Sequence, residues 1–75
     1  MPETQWESRA KGLLRAEMAR RNLTYKQLVD KLAEIGIRED EHNLRNKVAR
    51  GKFTGAFMLA CLGAMGCQTL RLEDS

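Results

Sequence analysis

The chemistry-bearing residues of this chain gather in one stretch. His42, Asn43, Arg45, Asn46, Lys47, Arg50 and Lys52 fall within eleven positions, and from Leu44 to Lys52 there are four bases and no acid. Asparagine offers a paired donor and acceptor that suit adenine, arginine a fork that suits guanine, and lysine a point charge for phosphate. That is the inventory of a surface that reads or grips a nucleic acid. Catalytic inventories do not assemble. No Ser/His/Asp or Cys/His set stands at usable spacing, there is no phosphate loop, and the carboxylates sit at helix starts and tails, where structural roles suffice. Cys61, Cys67 and the distant His42 fall short of a zinc pattern. Two cysteines six apart on one helix would be separated by about 9 Å along its axis, too far for a disulfide. The expectation is a binding module without catalytic residues, metal or cofactor.

Charge distribution points the same way. The net charge is only +3. Between Arg9 and Arg21, however, five bases (Arg9, Lys11, Arg15, Arg20, Arg21) surround one acid, Glu17, while other acids collect at the ends and at Glu39-Asp40-Glu41. Clustered bases suit a polyanionic partner.

The elements that would position these residues are helical. Seventy-five residues allow one domain with a thin core, and the single proline is Pro2. Trp6, Ala10, Leu13, Leu14 and Met18 form an apolar stripe that predicts a first helix near 5–21. Thr24 and Gln27 have capping-box spacing, with Leu23 and Leu28 in the staple positions. They predict a second helix over 24–35, with Leu28, Val29, Leu32 and Ile35 inward and Gly36 as its left-handed end. A third helix near 40–50 starts among three acids that favour the helix dipole and ends before Gly51. Its apolar stripe is only Leu44 and Val48, so it lies on the surface. At about 100° per residue, Asn46 then points most directly outward, flanked by His42, Asn43, Ala49 and Arg50, with Arg45 and Lys47 to the sides. Thr54 caps a fourth, strongly apolar helix over 55–65, closed by Gly66. In the tail over 67–75, Leu70-Arg71-Leu72 alternates like a short strand, or simply tucks one leucine onto the core.

Two capped helices joined at a glycine turn, the second polar and basic, describe a helix-turn-helix. The series Leu14-Arg15-x-x-Met18-x-x-x-Asn22-Leu23-Thr24-x-x-Gln27-Leu28, then Gly36-Ile37, Arg50-Gly51-Lys52 and Leu59-x-x-Leu62-x-x-Met65-Gly66 resembles the lambda-repressor-like helix-turn-helix domains over roughly residues 13–72. More narrowly it resembles a group of small bacterial proteins known only as a domain of unknown function. The resemblance implies an all-α bundle of four to five helices, duplex DNA binding and homodimerisation; the fourth helix or the 70–72 tail is the candidate dimer surface. It assigns Gln27, as the glutamine opening helix 2, to phosphate, and His42 to Arg50 to the recognition helix. Lys26, beside Gln27, joins the candidate contacts. Two departures stand out. The segment from Leu28 to Gly36 is about three residues longer than the pattern, and Glu39-Asp40-Glu41 puts negative charge where DNA would meet the helix.

No apolar run approaches the roughly 20 residues of a membrane span. Met1-Pro2-Glu3-Thr4-Gln5 has neither the basic start nor the apolar core of an export signal. The expectation is a cytoplasmic transcription regulator, associated with the nucleoid when bound. The rival expectation is a protein-interaction adaptor, antitoxin-like, on the same scaffold.

Overall fold

Four helices, α1 (Gln5–Arg20), α2 (Tyr25–Glu34), α3 (Glu41–Arg50) and α4 (Gly55–Ala64), make up the computed structural model, which describes residues 4–70. Each starts on a side-chain cap that accepts from a first-turn amide: Thr4, Thr24, Asp40 and Thr54. Thr24 and Gln27 form the expected capping box. A second box, between Thr4 and Glu7, opens α1 and was not anticipated, although its T-x-x-E spacing stands in the sequence.

Three helices end in the same way. A left-handed residue follows the last turn: Asn22 (φ 58), Gly36 (φ 86) or Gly66 (φ 80). The next amide then reaches back into the helix: Leu23 to the Met18 carbonyl, Ile37 to Leu32 and Cys67 to Leu62, each at 2.9 Å. Those three residues pack against the core, so each turn delivers the chain inward. The extra length after Leu28 is taken up largely as helix, since α2 runs through Ala33 and Glu34 before its cap at Ile35.

The core is built from pairs four residues apart: Leu14 and Met18, Leu28 and Leu32, Leu44 and Val48, Cys61 and Met65, joined by Leu62. α1 and α2 each pack on both α3 and α4. Every fully buried leucine contributes about 2–3 kcal/mol by leaving water, so this small set carries most of the fold.

Trp6 and Ile35 depart from their expected places, and a third large apolar side chain, Leu59, is also exposed. Trp6 is 71% exposed rather than packed, with the Arg9 guanidinium 5.5 Å above its ring. Eight residues before Leu14, it lies about 80° around the helix from the buried line. Ile35 is half exposed because α2 ends just before it, and Leu59 on α4 is 70% exposed. Among the described residues there is no strand, and Leu70 rests partly buried on the core. Arg71 and Leu72 lie outside the described residues.

Glu17 is the buried charge among the described residues, 4% exposed. Its carboxylate accepts from Arg20 and Arg21 at 2.6 Å each and from the Cys67 thiol at 3.7 Å, while Arg21 Nε donates to the Met65 carbonyl at 3.1 Å. This cluster ties the end of α1 to the turn after α4. The Arg21 hydrogen bond, with the charges of Arg20 and Arg21, holds the Glu17 carboxyl below the usual carboxylate range against the opposing effect of burial. Cys61 and Cys67 are both free thiols, and burial pushes Cys61 up to about 11.

Candidate nucleic-acid interface

Helix α3 presents its charged and amide side chains to solvent because it buries only Leu44 and Val48. His42, Asn43, Arg45, Asn46, Lys47, Ala49 and Arg50 are all exposed. Asn46 is among these exposed residues. Its Nδ2 lies 3.2 Å from His42 Nε2, a hydrogen bond in the tautomer that leaves Nε2 unprotonated, so the two side chains form one unit at the centre of the face. Exposed Ala49 keeps the next turn low.

The acids at the start of α3 are engaged. Asp40 is the cap: its two carboxylate oxygens accept from the Asn43 amide at 2.7 Å and from Asn43 Nδ2 at 3.0 Å. Glu41 pairs with Arg45 at 2.7 Å across one turn. Glu39 pairs with Lys47, whose ammonium also lies 4.8 Å over the Phe57 ring. Each acid thereby offsets a cation or satisfies a backbone donor.

The two ion pairs differ in exposure. Glu41 and Arg45 are 47% and 57% exposed, so the pair is strongly screened. Glu39 is only 12% exposed, and its partner is held against an aromatic face. Arg50, Lys52 and Lys26 are exposed and form no ion pair among the described residues.

Two further residues join this surface that the sequence did not single out as contacts. Tyr25, the first residue of α2, accepts a long hydrogen bond from Arg15 Nε at 3.4 Å, and the Arg45 guanidinium lies 5.3 Å over its ring. These three line an open groove of about 380 Å³ where α1, the start of α2 and α3 meet. The spacing of Arg15, Tyr25 and Arg45 along the chain gives no local sign of this meeting. Gln27 sits at the third position of α2, with its side-chain oxygen accepting the Thr24 amide at 2.8 Å. The residue that opens the helix, and faces the groove, is Tyr25.

The architecture is thus a small all-α bundle with one polar helix held on its surface. A model of the family described as a domain of unknown function, DUF6471, matches residues 6–70. The chain belongs to that family. No curated protein and no solved structure matches it. No described helix is long and apolar enough to cross a membrane.

Proposed function

We propose that this protein binds duplex DNA, with α2, the connection 35–40 and α3 acting as a helix-turn-helix. The observation that carries the reading is the outer face of α3. A thinly anchored helix presents His42, Asn46, Ala49 and Arg50 outward. Arg15, Tyr25 and Arg45 lie at one edge and Lys52 beyond its end. A helix of this kind enters the major groove, where Asn46 and Arg50 have the chemistry for base edges and the flanking cations that for phosphates. Gln27 keeps its amide donors for the same backbone. The reading makes the protein a small cytoplasmic transcription regulator, bound to the nucleoid when at work.

A ten-residue helix offers few base contacts, and pairing on a two-fold site is the usual remedy. The outer face of α4, carrying Gly55, Ala56, Leu59 and Gly63, has no charge and suits a homodimer contact.

Fluorescence anisotropy of labelled mixed-sequence duplex tests the reading. If about four phosphates are neutralised per protomer, affinity should fall roughly a hundredfold between about 50 and 200 mM salt. Arg50→Ala should weaken binding and leave the melting temperature unchanged. A folded protein that ignores duplex at low salt would refute the proposal.

A second reading has its own observation. Two of the α3 cations are already paired with acids, and Trp6, Ile35 and Leu59 are exposed. A protein-interaction adaptor would show these traits. It should co-purify with a defined protein and show no salt-dependent affinity for duplex.

A further inference from the structure

We propose that Glu41 is a specificity-determining residue that withholds Arg45 from polyanions in general and yields it to a phosphate seated in the Arg15–Tyr25 groove. The inference rests on the DNA-binding reading and goes beyond it. There, acids near the helix start are a plain obstacle; here, one of them is a gate.

The geometry separates the two acids. The Lys47 ammonium is held by a mostly buried carboxylate and the Phe57 ring, so a phosphate must displace both. Lys47 therefore serves the fold, joining α3 to the segment before it and to α4. Arg45 is different. Its partner carboxylate is about half exposed, so solvent screens the pair and holds it weakly. A phosphate offers the guanidinium the same two-oxygen recognition as a carboxylate and carries comparable charge. Exchange between them is close to balanced, and surrounding groups decide it.

Those groups lie in the groove. Arg45 already stands over the Tyr25 ring, and Arg15 approaches Tyr25 Oη from α1. A phosphate placed there meets two guanidiniums and a phenol hydroxyl, and Arg45 need only turn from Glu41 into the groove. A phosphate elsewhere along α3 meets the Glu41 carboxylate without that compensation. The gate therefore penalises loose, sequence-independent contact more than the seated complex. A bulk effect of charge would not depend on Arg45.

Three variants separate gate from bulk charge, each measured by anisotropy on mixed-sequence duplex at about 50 mM salt. Glu41→Gln keeps the side chain's size and releases Arg45. It should tighten binding about tenfold, the worth of one more neutralised phosphate, and steepen the salt slope by about one. Glu34→Gln removes the same charge from the exposed end of α2, where Glu34 forms no ion pair among the described residues, and should change affinity less than threefold. In an Arg45→Ala background, Glu41→Gln should gain no more than Glu34→Gln does. If Glu41→Gln matches Glu34→Gln while the parent protein binds, the gate is wrong and the DNA reading stands. The same holds if the gain survives loss of Arg45. If neither parent nor variants bind, both fail.

Discussion

Gly51 occupies a place no other residue fills without strain. Its φ is +69, and the Glu7 carbonyl oxygen lies 2.5 Å from where a β-carbon would stand. The contact brings the end of α3 against the start of α1, and Lys11 Nζ reinforces it by donating to the Ala49 carbonyl at 3.1 Å. Gly51→Ala combines left-handed backbone strain with a collision against main chain, and should cost about 2–4 kcal/mol in urea denaturation. An unchanged midpoint would mean that α1 shifts freely away from α3. At this scale the sequence was legible where the device is local. Thr24 with Gln27, Thr54, Gly36 and the outward Asn46 all follow from spacing within a turn or two. Trp6 was misplaced because it stands about 80° around α1 from Leu14, at the edge of the apolar stripe and off its buried line. Arg15, Tyr25 and Arg45 were not read as one group because three different elements bring them together.

Elements are joined here by charge as well as by packing. The Glu17 cluster clamps the last turn of α1 to the segment after α4, and its partners Met65 and Cys67 are more than forty residues away. Arg20 and Arg21 stand three and four residues after Glu17, the spacing of helical ion pairs, but no local pattern announces the tie to Met65 and Cys67. The sign of its pH effect follows from the depressed carboxyl. A carboxylate favoured in the folded state stabilises above the unfolded value and loses that contribution as pH falls through the folded one. The parent protein should therefore lose melting temperature as pH falls below the ordinary carboxylate range. Glu17→Gln should start lower at neutral pH and show a shallower decline, as followed by circular dichroism. Parallel pH profiles for the two would show that Glu17 adds nothing to the acid response. The pairing at α3 was half readable. Glu41 and Arg45 stand at the four-residue spacing of helical ion pairs, whereas Glu39 and Lys47 are eight apart and meet because Glu39 precedes the helix.

For the whole molecule, the distribution of apolar surface sets the question of assembly. α4 has no charged residue, and its Leu59 projects between Gly55 and Gly63, one turn to either side. Under a two-fold axis the leucine of one copy could sit beside the glycines of the other. Leu59→Glu should convert a dimer to a monomer in sedimentation velocity, with helix content unchanged. A parent protein that is monomeric at high concentration would remove α4 as the pairing surface. The fold class was legible because four capped segments, three of them ended by glycine, leave few alternatives for a chain this short. The outer face of α4 was less so, because an almost wholly apolar helix does not reveal from its sequence which side is covered.

The exposure of Trp6 has a spectroscopic consequence. It is the sole tryptophan of the chain, and in the folded protein it is already largely in water beneath a guanidinium. Its emission in the native state should resemble that of the unfolded chain. Unfolding followed by intrinsic fluorescence would then show almost no transition in a protein that melts cooperatively by its helical signal.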